Sequence, residues 1–123
     1  MEEHPNATAV RRAGEAMKRG DMQTMDAFLA DDVIWHGIGR SEPLRGKDAL
    51  RASMAGTDYE ITFEIHDVVA NDEHTIALGE ATATRGGKTL KYRTAEIYHI
   101  KDGKATERWA FSDDTAAIIA FFA

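Results

Sequence analysis

Tyr59-Glu60-Ile61-Thr62-Phe63-Glu64-Ile65-His66 alternates apolar and polar side chains at almost every step, and a period of two is the pattern of a strand with one face buried. His74 to Arg85 reads as a second long strand, and Gly86-Gly87 supplies the two-residue turn of a hairpin. Leu90 to Ile100, rich in Tyr, Ile and Thr, is a third strand, and Asp102-Gly103 turns the chain into a further run from Ala105 to Phe111. These strands in succession predict an antiparallel meander.

Upstream of the meander the period is helical. Val10, Ala13, Ala16 and Met17 share one face between residues 9 and 19, and Gly20 stops the helix. Asp21 is placed to accept the free N–H groups of a second, short helix carrying Met22, Met25, Phe28 and Leu29 and ending near Ala30. Asp31-Asp32 opens a β-type run, Val33 to His36, which dissolves into a polar loop through Pro43; Gly46 to Met54 is a third helix. Ile118 to Phe122 forms a short apolar tail. The expected class is α+β: a strongly curved sheet wrapped round three N-terminal helices, with a cavity where the sheet bends away from them.

Composition narrows the functions. A chain of 123 residues forms one domain, 1–123. Fifteen Lys and Arg against 21 Asp and Glu give a net charge of −6, which argues against a phosphate-neutralising surface for nucleic acid or an anionic membrane. Without cysteine there are no disulfides, thiolate metal sites or Cys nucleophiles. The acidic start, Met1-Glu-Glu-His-Pro5, lacks the pattern of an export signal and no stretch is long and apolar enough to span a bilayer, so a cytoplasmic protein is expected.

The order of these elements and their local motifs resembles the nuclear transport factor 2-like superfamily, and within it the SnoaL-like and ketosteroid-isomerase-like proteins. The residues that carry the resemblance are Gly20-Asp21, Ala30-Asp31-Asp32-Val33, Trp35-His36, Gly46, Asp102-Gly103-Lys104, and Glu107-Arg108-Trp109 leading to Asp113. The resemblance implies a conical α+β structure, a partly open barrel with a deep apolar pocket between sheet and helices, paired into homodimers through the outer sheet face. The catalytic set of the ketosteroid isomerases is not matched. Their carboxylate base would fall at Gly37, their oxyanion-binding Tyr near Ala13, and their neutral acid near Ile97, where Glu96 is the adjacent carboxyl. The SnoaL-like cyclases place an acid/base Asp shortly after a Trp on the last strand, which corresponds here to Asp113, with Asp114 one residue away.

Two residues are therefore candidates for proton transfer. His36 could serve as base or acid if a carboxylate such as Asp113 orients it, or could simply bond a backbone carbonyl. Asp113 lies in Ser112-Asp113-Asp114-Thr115, which also reads as a helix cap for the terminal segment. Trp35, Phe63, Tyr92, Tyr98 and Trp109 are candidates to line a pocket for a small apolar ligand, or to be plain core. Glu80 and Glu96 sit within central strands, where a charge is expected either on a solvated face or paired with a residue such as Arg93; of these, a solvated or dimer-facing position is the expectation. The five His residues show no compact ligand spacing, so no metal is expected; no dinucleotide fingerprint, phosphate loop or serine elbow is present, so no cofactor is expected. The reading is a SnoaL-like small-molecule enzyme performing cofactor-free acid/base chemistry, as an isomerase, cyclase or hydratase, on an apolar carbonyl or epoxide-like substrate. The alternative is a non-catalytic ligand-binding or dimerisation module of the same fold.

Overall fold

The computed structural model describes residues 2–123. Helix α1 runs from Pro5 to Lys18; Pro5 occupies its first position, where no intrahelical N–H is needed, and the His4 ring accepts the Asn6 N–H. Its buried face is Ala7, Val10, Ala13 and Ala16, small residues that let the helix lie close to the sheet. Asp21 caps α2 (Met22–Phe28), accepting both the N–H and the hydroxyl of Thr24.

Strand β1 spans Leu29–His36, four residues earlier than the Val33 start expected from the sequence. Leu29 and Val33 are both buried in the core, and Leu29 faces Ala105 of the last strand, so burial and pairing override the two aspartates between them. A two-residue strand β2 (Leu44–Arg45), unforeseen in the sequence, pairs antiparallel with the end of β1. Gly46, at φ 88°, donates its N–H to the Val33 carbonyl at 2.7 Å and starts α3 (Lys47–Met54).

The meander follows as β3 (Tyr59–Ala70), β4 (Thr75–Arg85), β5 (Lys88–Lys101) and β6 (Lys104–Ser112). Gly86 and Gly87, at φ 57° and 77°, both take the positive values that a tight hairpin of this kind requires. The terminal apolar segment is a fourth helix, α4 (Thr115–Phe122), capped by Asp114, which accepts the Ala117 N–H.

The six strands lie in the order β2-β1-β6-β5-β4-β3. β1 and β6 run parallel, so the sheet is mixed rather than purely antiparallel as expected. Register shifts insert one extra residue in β3, His66, opposite β4, and one in β6, Thr106, opposite β5, the usual means of bending a sheet.

The inner face meets two apolar clusters. The larger joins Ala7, Val10 and Ala13 of α1, Phe28 of α2 and Leu50 of α3 to Val33, Val68, Ala77, Tyr98 and Ala105 of the sheet. The smaller joins Ile118, Phe121 and Phe122 of α4 to Phe63, Ala81, Ala83, Leu90 and Tyr92.

Candidate functional site

Pairing fixes which side chains share a face. Trp35 of β1 faces Arg108 of β6, Arg108 faces Tyr98 of β5, and Glu96 lies two residues before Tyr98 on the same side. Val33 and Tyr98 belong to the core under the helices, so this is the inner face. Tyr92, Thr94, Glu96 and Tyr98 thus line the interior together.

Glu96 is the centre of the inner cluster. Its side chain is 14% exposed and that of Arg108 is 11% exposed. Arg108 Nη2 donates to Glu96 Oε1 at 2.7 Å, and the Tyr98 hydroxyl donates to Glu96 Oε2 at 2.9 Å. Arg108 Nη1 reaches the His36 carbonyl at 3.3 Å, and the guanidinium lies 4.2 Å from the Trp35 ring centre. Each group explains the others: a buried carboxylate needs a cation and donors, and the cation in turn rests on an aromatic face. Tyr98 also meets Trp35 and Phe28 edge-on, at ring separations of 6.5 and 5.8 Å. Burial holds the Tyr98 hydroxyl far above its usual pKa, and the Glu96 charge pushes the same way. Tyr92 is raised by the same two influences. Both phenols are therefore neutral donors at ordinary pH.

Glu96 corrects the expectation of a solvated or dimer-facing carboxylate. Its partners are Arg108 and Tyr98. The signal was in the alternation of β5, where Glu96 shares its parity with two aromatic residues, Tyr92 and Tyr98. What periodicity could not supply was the facing cation, Arg108. Glu80, in contrast, is exposed, opposite Glu64 and Arg93.

His36 and Asp113 are not brought together. His36 is adjacent to Trp35 on a strand and takes the opposite, outer face, where it lies opposite Trp109. Its Nε2 is 2.7 Å from Glu107 Oε2, and its ring stacks on Trp109 at 5.1 Å with the planes 3° apart. Trp109 meets His99 edge-on at 4.9 Å, and His99 meets His74 at 4.9 Å, so an aromatic row crosses the outer face. Asp113 Oδ1 accepts the Arg93 N–H at 3.1 Å, while the cap of α4 falls to Asp114. Of the expected ligand-lining residues, Trp35, Phe63, Tyr92 and Tyr98 are on the inner face and Trp109 is on the outer.

One cavity of about 280 Å³ opens on the outer face between His66, Leu78, Arg93, Phe111 and Asp113; another, of about 140 Å³, lies between α1 and β3 at Gly14, Lys18 and Phe63. Glu96, Tyr98 and Arg108 line neither of them. Among the described residues no group of three or more His, Asp or Glu is arranged to hold a metal ion, and no helix is long and apolar enough to cross a membrane.

Known proteins share this architecture and sequence. Protein Rv0034 of Mycobacterium tuberculosis H37Rv is 30% identical over 131 residues, spanning the whole of both chains. An NTF2-like protein of Burkholderia pseudomallei K96243 superposes with a TM-score of 0.84 at 24% identity, covering 98% of each chain. An LEH-like epoxide hydrolase of M. tuberculosis superposes with a TM-score of 0.75 at 21% identity, over 89% of this chain and 83% of that one. The SnoaL-like domain model matches residues 10–108, which carry β1 to β5 and the first part of β6 as far as Arg108. The chain belongs to the SnoaL-like domain family and has the curved α+β fold of the nuclear transport factor 2-like superfamily.

Proposed function

We propose that this protein is a small-molecule enzyme performing acid/base chemistry with side chains alone on an apolar carbonyl or epoxide-like substrate bound against the inner face of the sheet. One observation carries the proposal: an interior carboxylate, Glu96, is held between a neutral phenol and a guanidinium and flanked by two apolar clusters. A carboxylate in such surroundings can take a proton from carbon or from a water molecule, and Tyr98, kept protonated, can donate to the oxygen that gains charge. With a carbonyl substrate, Glu96 removes a proton beside the carbonyl, Tyr98 hydrogen-bonds the enolate oxygen, and Glu96 returns the proton to another carbon. With an epoxide, Glu96 takes a proton from the attacking water, the opening ring oxygen takes one from Tyr98, and Tyr98 recovers it from Glu96. Arg108 is a positioning residue in both cases, fixing the carboxylate. The epoxide branch has an analogue in the LEH-like epoxide hydrolase of similar fold, an analogy at the level of fold alone.

The test is turnover of a panel of apolar epoxides and enones by the wild type and by Glu96→Gln, with far-UV circular dichroism as the control for folding. Loss of a positioned acid/base group costs on the order of 10²–10⁴-fold in rate, so Glu96→Gln is expected to lose at least about 100-fold. Unchanged turnover in that variant overturns the assignment. Binding without product in the wild type selects the carrier reading instead.

In the same reading His36, Trp109 and Asp113 belong to the outer face, and that face joins two copies of the chain. Phe111 and Val69, 55% and 50% exposed, are the apolar side chains that contact would cover.

A further inference from the structure

Two histidines meet at the margin of the outer face. The register that sets Thr75 opposite Tyr98 brings His74, the residue before β4, beside His99 of β5, and the two rings stand 4.9 Å apart with their planes at 62°. Among the described residues, the hydrogen bonds of both run through the backbone. His74 donates its N–H to Asn71 Oδ1 at 2.8 Å, and its carbonyl accepts the Asn71 N–H at 2.9 Å. The His99 carbonyl accepts the Thr106 hydroxyl at 3.2 Å. Position 74 is thus pinned by the Asn71 turn, while Trp109 packs edge-on against the His99 ring at 4.9 Å. Other histidines have spent their nitrogens elsewhere: His36 Nε2 meets Glu107, and His4 places one ring nitrogen on the Asn6 N–H and the other 2.9 Å from Asp72. His74 and His99 have only each other, and His74 is exposed, so solvent reaches the pair.

The separation of the rings has a chemical meaning. An ion bound by an imidazole lies about 2.0–2.1 Å from the nitrogen, hence about 3.2 Å from the ring centre. Two imidazoles sharing that ion at an angle of about 90–110° have their centres about 4.5–5.2 Å apart. The observed 4.9 Å falls within this interval. Glu107, opposite His99 in the β5–β6 ladder, adds negative charge beside the pair while remaining bonded to His36. Two side chains form a chelate without a third protein ligand, as befits a molecule with no cluster of three among its described residues. The sequence hides the pair because its members are 74 and 99, on different strands, with no local spacing to reveal them.

We infer that His74 and His99 form a two-imidazole site for a late divalent transition-metal ion, copper(II) in preference to nickel(II) or zinc(II), which ties the start of β4 to the end of β5. Imidazole suits these ions, and copper(II) is the tightest of them at a site of given ligands. Water fills the remaining coordination positions. The site lies on the face opposite Glu96 and is independent of the acid/base reading.

The experiment is a titration of the full chain with copper(II), followed by tryptophan fluorescence, since an ion on His99 sits beside Trp109 and quenches it. Electron paramagnetic resonance counts the coordinated nitrogens. The wild type is expected to show saturable quenching and a signal from two nitrogens. Losing even an outer-shell partner of a metal ligand costs roughly 10–100-fold in affinity, so His74→Ala and His99→Ala are each expected to weaken binding at least about tenfold. His74 is exposed, so its variant keeps the test valid should His99→Ala fail to fold, with circular dichroism as the control. His4→Ala is expected to bind as the wild type does. No saturable quenching in the wild type, unchanged affinity in His74→Ala, or affinity lost in His4→Ala and kept in His74→Ala overturns the inference.

Discussion

Tyr98 is the residue whose chemistry reaches furthest beyond its own position. It packs under the helices, donates to Glu96 and stays protonated because burial and the adjacent carboxylate both oppose its ionisation. Its folded pKa is raised above the unfolded value of about 10, so the stability it contributes is complete below that pH and is lost as pH rises beyond it. The melting temperature is therefore expected to fall steeply above about pH 10. In Tyr98→Phe the fall should be shallower, with the remaining part set by Tyr92, whose hydroxyl is raised for the same reasons. Melting curves between neutral pH and pH 11 or so check this, and an identical alkaline slope in both proteins refutes it. At this scale the sequence was only partly legible. The parity of β5 puts Glu96 with two tyrosines, yet its role depends on Arg108, which joins it only through the pairing of β5 with β6. His36 was visible as a titratable residue, but its carboxylate partner is Glu107, 71 residues along the chain, and no local pattern announces that contact.

Among the elements, the long strands and the first three helices are written in periodicity, and the structure places them within a few residues of the expected bounds. The exceptions are those in which distant chain decides. β2 is two residues long and exists because β1 offers it an edge. β1 begins early because β6 pairs with it. α4 looks like an apolar tail because its Ile, Ala and Phe residues encircle the helix instead of marking one face. What makes it a helix is the cap at Asp114 together with the surface it covers. Its other end is held by Arg85, whose guanidinium donates to the Phe121 and Ala123 carbonyls at 3.0 and 2.8 Å. Removing an N-cap carboxylate costs about 1 kcal/mol, so Asp114→Ala should lower stability by about that much and loosen α4 selectively. Limited chymotrypsin digestion tests this: cleavage at Phe121 or Phe122 is expected to quicken well before the sheet is cut, and an unchanged digestion pattern contradicts it.

For the whole molecule, the proposal is that two copies of the chain are joined by the outer face. It combines exposed Phe111 and Val69 with the aromatic row through Trp109, and a stable contact there buries roughly 1,200 Å² or more in total. Sedimentation over a wide concentration range is expected to show a dimer that Phe111→Glu shifts to monomer; a monomer at every concentration removes that proposal. The fold class was legible because it rests on local alternation, whereas the attachment of β1 to the meander was not, because it rests on one parallel pairing between β1 and β6. That pairing also governs how the chain matures on the ribosome. β1 emerges early, with only the two residues of β2 to lie beside it, and Leu29 and Trp35 gain their neighbours on β6 only when almost the whole polypeptide has been made. The interior is thus assembled by the last strand synthesised. A chain that stops before Lys104 lacks this cover and leaves β1 with an unpaired edge, the kind of surface from which aggregation starts.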